Sequence, residues 1–574
     1  MKNWKLKPQP SLAIRKKLAS YSKFIQTILY NRGISGHKQA QKFFDLDYDN
    51  NSYDPFKLSG IKPAVKTIID AIKKKKKIGI YGDYDADGVT ASTIVNQYFL
   101  ANGLKPIIYI PDRVKEGYGL NMKSVQYLKK KGVELLITVD TGIRNLAEIS
   151  YLKKNNIKVI LTDHHSPPKK LPPAHAIINP HLSNQNVLKE LSGAGVAFKL
   201  IQALIRTQGD SNFSPGFEKW LLDLVVIGTV ADLVPLINEN RILVKYGLIV
   251  LNKTRRAGIK QLLELAKLDE YSPIINTQDV GYKIAPRINA AGRMDHANHA
   301  FALLNEARTK QAKKFALELE KRNQKRQQVT TKIFNAVEKI QPQDQKIIIA
   351  GSKDWPLGIV GLVAGKICDK YHRPALIYSD EGAQIRGSAR SIEQFNIIKA
   401  LDQVGELLKE HGGHSQAAGF TVTKANFPKF QKAIAEIAQK KILAKHLIPE
   451  LKIDYKLNFQ EINRQLVDEL KALEPFGMDN PEPIFLLKNM TIKSVSMVGN
   501  GNKHLKLSVC KQEPNSPLKF FQCICFNFQN TEPKFKTGDS VDIVFNLYIN
   551  SFNGQKNLEL KLIDIKPANC KNVS

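Results

Sequence analysis

At 574 residues the chain is too long for one hydrophobic core, which rarely grows past about 250–300 residues, and its 43% hydrophobic content suffices for several. Its 86 Lys and Arg against 53 Asp and Glu leave a net charge of +33, which points to a polyanionic partner, above all nucleic acid. No stretch approaches the about 20 apolar residues that span a bilayer, and five irregularly spaced cysteines (Cys368, Cys510, Cys523, Cys525, Cys570) make no disulfide framework, so a soluble, cytoplasmic protein with no membrane association is expected.

Residues 1–53 are polar with scattered apolar positions and read as a short helical lead-in. From 54 to 240, strand-like runs at 78–81, 107–110, 135–139 and 159–161 alternate with helix-like segments. Alternation of that kind predicts a parallel βαβ sheet. Lysines 73–77 end a predicted helix ahead of the first of these strands, where cations complement the helix dipole. Residues 241–340 turn helical. Within them 296–340 has no Pro or Gly and is rich in Ala, Leu, Glu, Lys, Gln and Arg, which predicts one long basic helix bridging two domains. His296 and His299 read as surface positions on it.

A second α/β unit opens at Lys346-Ile347-Ile348-Ile349-Ala350 and fills 341–445. From 446 to 574, β-like segments at 491–498, 504–509, 520–525, 540–546 and 557–565 are separated by Asn, Gly and Pro turns. They predict a small barrel of OB type. The expected fold class is therefore α/β, with two α/β domains joined by a long helix and followed by a β-barrel.

The chemistry gathers where apolar runs end. Asp83-Tyr84-Asp85-Ala86-Asp87-Gly88 follows Ile78-Gly79-Ile80-Tyr81, Asp140 follows Leu135-Leu136-Ile137-Thr138-Val139, and Asp163-His164-His165 follows Val159-Ile160-Leu161-Thr162. Asp232 closes a fourth run, Val225-Val226-Ile227-Gly228-Thr229-Val230-Ala231, read as a buried strand or core segment. Parallel sheets collect ligands at their strands' carboxyl ends, and carboxylates crowded there repel one another unless a cation joins them. An EF-hand is excluded, because Ile94 stands where that loop needs its twelfth-position Glu. Mixed Asp and His ligation suits Mn²⁺ or Mg²⁺, leaves Zn²⁺ as an alternative, and disfavours Ca²⁺ through the imidazole. The surplus of ligands suggests two ions about 3.5–4 Å apart, an arrangement used for phosphodiester hydrolysis with water as nucleophile. Walker A and G-x-G-x-x-G patterns are absent. Three patches look like substrate grips: 111–121 with Arg113, Lys115 and Tyr118; Arg386-Gly387-Ser388-Ala389-Arg390-Ser391; and His411-Gly412-Gly413-His414.

The ordered set 83–88, 163–165, Gly228-Thr229-Val230-Ala231-Asp232 and Gly412-Gly413-His414 resembles the DHH phosphoesterase superfamily with its second, DHHA1 domain. Ala285-Pro286-Arg287-Ile288-Asn289-Ala290-Ala291-Gly292-Arg293, 386–391 and Glu474-Pro475-Phe476-Gly477-Met478 narrow the resemblance to the bacterial RecJ family of single-strand-specific exonucleases. The resemblance covers the chain from about residue 54 to its end. It implies Mn²⁺ or Mg²⁺, as two ions, on Asp85, Asp87, Asp140, His164 and Asp232, with Asp83, Asp163 and His165 close by as catalytic residues. His165 would stabilise the scissile phosphate or its leaving oxygen. Arg113, Ser388 and Arg390 would hold a 5′ phosphate, Tyr118 would exclude duplex, and Arg287, Asn289, Gly413 and His414 would touch substrate. Single-stranded DNA would be consumed from its 5′ end into mononucleotides, in repair and recombination. The OB-like part would bind strand through candidates such as Lys503, Lys506, Lys519, Phe520 and Tyr548. A helicase and a single-strand-binding protein are implied partners, and a monomer is expected. Two departures stand out: Asp479 replaces the second glycine of the Phe-Gly-x-Gly-Asn-Pro pattern, and His411 replaces an aromatic ahead of Gly-Gly-His. The alternatives within reach are a DHH enzyme acting on short oligoribonucleotides or dinucleotides, and a non-catalytic replication scaffold.

Overall fold

The computed structural model describes residues 2–184, 186–268, 274–340, 345–499, 501, 503–511, 519–526, 528, 535–552 and 555–568. Cys570 lies outside them. The chain forms two compact units, residues 46–447 and residues 1–45 with 448–574. Its first strand, β1 (Asn3–Leu6), belongs to the second of these.

The unit 46–447 holds two sheets. In the first, β2 (Ile78–Tyr81), β3 (Ile107–Tyr109), β4 (Leu135–Val139), β5 (Lys158–Thr162) and β6 (Ala176–Ile178) lie in the order β3-β2-β4-β5-β6, all parallel. Side chains alternate across a strand, and here both faces are apolar. Leu136, Val159 and Leu161 enter one core with Val125, Leu128, Ile149 and Leu152 of the helices Met122–Lys130 and Leu146–Lys154. Ile137, Val139 and Ile160 enter the other, with residues of the helices Ala86–Ala101 and Gly193–Gln208. Burial on both sides is why these strands read as continuous apolar runs.

The fourth apolar run is a helix, Leu222–Ala231, and every residue from Leu222 to Val230 is buried. A nearly all-apolar helix must sit inside; its one carboxylate, Asp223, is buried on Thr254 and Arg256, and the helix ends at Asp232, its C-cap. The expected single helix over 296–340 is two helices, Asn298–Asn305 and Thr309–Ile340. Glu306 is extended between them, and its carboxylate accepts from the Arg308 N–H (2.8 Å), a local bond that competes with helix continuation.

The second sheet contains β7 (Ile348–Ser352), β8 (Ala375–Asp380), β9 (Gln384–Arg390), β10 (Glu410–Gly413) and β11 (Ala417–Thr423), ordered β10-β11-β9-β8-β7. β7 and β8 are parallel and the other pairs antiparallel. β10 is an exposed edge.

In the other unit, β12 (Glu450–Ile453) pairs in parallel with β1. β13 (Tyr455–Lys456) adds briefly to β14 (Phe485–Val498). β14, β15 (His504–Cys510), β16 (Phe520–Cys525), β17 (Ser540–Phe552) and β18 (Gln555–Pro567) close into a five-stranded barrel through the β14–β17 pairing. Phe485, Ile492, Leu507, Val509, Phe521 and Phe545 fill it, and Leu18, Phe24, Ile28 and Leu29 join that core. The first 45 residues are thus built into the barrel unit. Trp4 is fully buried, and its Nε1 donates to Asp564 (2.7 Å). Cys510 and Cys523 are buried in the same unit, as packing thiols.

Candidate metal centre and phosphate cradle

Each acidic group is aimed by local backbone. Asp85 caps the helix Ala86–Ala101, its Oδ1 accepting from the N–H groups of Asp87 and Gly88 (both 3.0 Å). Asp87, in that helix's first turn, accepts from Gly193 N–H (2.6 Å) and Ala194 N–H (2.9 Å), at the start of the helix Gly193–Gln208. Asp140 follows β4 with φ of 61°, a left-handed conformation that Asp tolerates better than most residues. A Cβ on Gly193 would fall 2.5 Å from Asp140, so that approach requires glycine.

These elements bring His164 Nε2 to 3.1 Å from Asp140 Oδ1, 3.5 Å from Asp232 Oδ2 and 4.0 Å from Asp87 Oδ2. Ligand atoms within 4.8 Å of one another come from three overlapping sets: Asp87, His164 and Asp232; Asp83, Asp85 and Asp140; and Asp140, His164 and His165. Asp83 Oδ1, Asp140 Oδ1 and His164 Nε2 are buried without any hydrogen-bond partner. Buried polar atoms are almost always paired. Lone-pair acceptors left unpaired in these overlapping sets fit divalent cations and nothing apolar.

The electrostatics agree. Burial, then the charge of Asp85, raises the Asp87 carboxyl to about 7. Burial, then Asp87, Asp85 and Asp83, raises Asp232 to about 9. Burial, then Asp85, pushes Asp83 well up, and burial, then Asp87, Asp85 and Asp83, does the same to Asp140. Burial, with His165 adding, pulls His164 down to about 4, so it is a neutral ligand at pH 7. Asp163 behaves differently. Its burial is outweighed by bonds from His165 and from Ile143 N–H (2.9 Å), which hold it below the usual carboxylate range. Its Oδ1 takes His165 Nδ1 at 2.8 Å. Burial lowers His165, but the Asp163 bond and charge outweigh this and lift it above the ordinary histidine value. The Tyr118 hydroxyl lies 3.0 Å from the same Nδ1 and 3.3 Å from Asp140 O.

A second cluster carries the opposite charge. The Arg113 guanidinium lies 4.7 Å above the Tyr84 ring. Arg390 Nη1 donates to Ser388 Oγ (3.1 Å), and both face Gly361, whose added Cβ would stand 3.0 Å from Ser388 Oγ. Arg293 donates to Gly358 O (3.3 Å). Burial, then the charges of Arg113 and Arg326, with Arg390 adding, lowers Arg293 to about 9. Burial also lowers Arg390, with Arg113 contributing. Guanidiniums that repel one another in a half-buried site await an anion.

Arg113, Ser388 and Arg390, expected together, are therefore together. Arg287 and Asn289 are each bonded within the chain. Arg287 Nε donates to Glu320 Oε2 and Nη1 to Lys283 O (both 2.6 Å). Asn289 Oδ1 accepts from Ala86 N–H (2.9 Å) and so fixes the acidic loop. Gly413, with φ of 147°, and His414 lie on or beside the exposed β10 edge, where His414 N–H donates to Ala417 O (2.7 Å). Reading the sequence singled out neither Arg293 nor the Gly193-Ala194 amides. The latter had a signal in Ser192-Gly193-Ala194-Gly195, a serine N-cap followed by small residues ahead of an apolar helix.

Family models match in three places: the DHH family N-terminal domain over residues 77–229, the DHHA1 domain over 344–440, and the RecJ OB domain over 453–564. The single-stranded-DNA-specific exonuclease RecJ of Haemophilus influenzae is 33% identical over 534 residues, covering 90% of this chain and 92% of that protein. The chain belongs to the RecJ family. RecJ of Bacillus subtilis is 36% identical over 546 residues, covering 94% of this chain and 67% of the relative. The crystal structure of RecJ from Thermus thermophilus in complex with Mn²⁺ superposes with a TM-score of 0.83 at 28% identity, covering 99% of this chain and 80% of that one. A Mg²⁺ complex of RecJ from the same organism is likewise similar, with a TM-score of 0.77. Among the described residues no helix is long and apolar enough to cross a membrane.

Proposed function

We infer that this RecJ-family chain is a metal-dependent exonuclease of single-stranded DNA that works from the 5′ end and releases 5′-mononucleotides. The observation that carries the reading is the pairing, in one unit, of a carboxylate–imidazole cluster short of a cation with an arginine cluster short of an anion. The curated relatives named as single-stranded-DNA-specific exonucleases support the substrate class.

Mn²⁺ or Mg²⁺, as two ions, would be held by Asp85, Asp87, Asp140, His164 and Asp232, with Asp83 as a further ligand. When bound, the metal supplies Lewis acidity toward phosphoryl oxygens and activates water near neutral pH. The chain's own groups position the rest. Arg113, Arg293, Ser388 and Arg390 take the 5′-terminal phosphate and so fix which bond lies over the carboxylates. Asp163 accepts from His165 Nδ1 and holds the ring toward its imidazolium form, whose Nε2–H would donate to the scissile phosphate or its leaving oxygen. The Tyr118 ring lies beside this imidazole, centroids 5.3 Å apart, where it would exclude a duplex. On the barrel, Phe520 and Tyr548 are exposed, rings on which bases of a strand would stack.

Every group in this scheme comes from one chain, so a monomer suffices. The strand it consumes must first be freed from duplex, which makes a helicase and a single-strand-binding protein the expected partners, in repair and recombination. The test is cleavage of 5′- and 3′-end-labelled single strands with Mn²⁺, Mg²⁺ or EDTA. The reading expects immediate release of 5′-labelled mononucleotide, abolished by EDTA. Cleavage confined to dinucleotides or very short RNA would replace it with an oligonucleotide phosphodiesterase.

A further inference from the structure

The carboxyl ends of β2, β4 and β5 carry the acidic site, and the opposite ends of the same strands carry lysine. Five consecutive lysines, 73–77, run from the last turn of the helix Ile61–Lys73 into β2. Lys105 precedes β3, lysines 129–131 close the helix before β4, and lysines 153 and 154 close the helix before β5, whose first residue is Lys158. These turns form one surface. Glu134 N–H donates to Lys77 O (2.9 Å), Lys158 N–H donates to Glu134 O (3.1 Å), and Lys129 Nζ donates to Asn155 Oδ1 (2.6 Å). All of these lysines are exposed except the half-buried Lys76. The acidic groups among them are Glu134, which pairs with Lys76 at 3.5 Å, and Asp70, in the last turn of the helix Ile61–Lys73.

Helix dipoles favour cations in the last turn, but lysines 75–77, 105, 131 and 158 lie beyond the helix ends, where that effect fades. We propose that this surface is a second nucleic-acid site, one that grips the phosphate backbone of duplex DNA. Four neighbouring strands at about 4.8 Å spacing, with their flanking helix ends, give a basic face some 15–20 Å wide. Bases would find little to stack on. Lys131 Nζ lies 5.5 Å over the Tyr127 ring and Lys129 Nζ 5.9 Å over Tyr151, so both tyrosines already carry a cation. Charge without open rings suits a partner that shows only phosphates. Five residues of β4, about 17 Å, separate this face from Asp140, so a duplex held here is not the strand being cut. The site goes beyond the exonuclease reading and does not depend on it.

The experiment uses the full chain with Lys74→Glu, Lys130→Glu, Lys131→Glu and Lys154→Glu combined, and the matching Lys→Arg set as a charge-preserving control. Binding of a blunt duplex is measured across a salt series, alongside hydrolysis of a short 5′-phosphorylated single strand. The proposal expects duplex affinity to fall by on the order of 100-fold and the salt slope by about 3–4, with hydrolysis unchanged and the Arg set like the parent. Duplex affinity within twofold of the parent would overturn it, as would parallel loss of binding and hydrolysis in a folded variant. Loss of binding to anionic lipid vesicles with duplex binding intact would overturn it in favour of a membrane surface. If no version of the protein cuts DNA but the Glu set still loses duplex, the exonuclease reading fails and this one stands.

Discussion

The carboxylate cluster and the arginine cluster of the catalytic unit are electrical opposites built by different means. Burial and like charge push Asp232 up to about 9 in one and Arg293 down to about 9 in the other, so each is costly without its counter-ion. The carboxylates are pinned by backbone, with Asp85 at a helix cap, Asp87 on two amides of another helix and Asp163 on Ile143 N–H. The arginines hang on long stems, one over Tyr84 and one on Ser388. Short carboxylates fixed on backbone amides preorganise a cation site, whereas the guanidiniums, bonded in part to the Gly358 and Ala389 carbonyls, present planar forks to a phosphate.

Removing one pinned ligand should do the most damage. Asp140→Asn is expected to lower single-strand cleavage by on the order of 10³-fold while thermal unfolding and strand binding stay near the parent; a cleaving variant would take Asp140 out of the site. Next, Arg390→Ala should weaken use of 5′-phosphorylated ends by about 10–100-fold, the worth of a charge-assisted bond. Ends lacking the phosphate should be cut almost as by the parent, so equal loss on both kinds of end would deny Arg390 its phosphate. Smaller still, Gly193→Ala presses a methyl toward Asp140 and should cost about 10-fold in Mn²⁺ affinity. Unchanged affinity would show the carboxylate scaffold to be less rigid than its backbone bonds indicate.

The last expectation concerns pH. Asp87 and Asp232 titrate near 7 and 9 in the folded chain against an ordinary 3.8, so between these values the metal-free fold holds protons that the unfolded chain has released. Stability of metal-free protein should therefore fall as pH rises from about 4 toward 9. Adding Mn²⁺ should raise the unfolding temperature most at the alkaline end, as differential scanning with and without EDTA would show. A metal effect independent of pH would contradict the assigned causes.

Strand ends and acidic motifs were legible because buried parallel strands are continuous apolar runs and because Asp and His clusters recur at their ends. β4 was expected over 135–139 and runs Leu135–Val139. The fourth run reads equally as strand or core segment, because an all-apolar stretch has no period to reveal a buried helix. The break at Glu306 escaped because it rests on one side-chain bond rather than on Gly or Pro. The place of the first strand escaped because Trp4 pairs with a segment more than 440 positions away, beyond any local pattern. In the site, the motif 285–293 does not tell which partners its arginines take; Arg287 bonds Glu320 and Arg293 bonds Gly358 through side-chain directions that no local pattern encodes.

The central claim is that the cluster of carboxylates and one imidazole, in which Asp83, Asp140 and His164 each keep an unpaired buried atom, forms a divalent-metal centre. Mn²⁺ titration followed by electron paramagnetic resonance tests it most directly, comparing the parent with Asp140→Asn. The account predicts two bound Mn²⁺ per chain in the parent, with spin coupling between them, and loss of at least one in the variant. A parent that binds no Mn²⁺, or a variant that binds as the parent does, would contradict it.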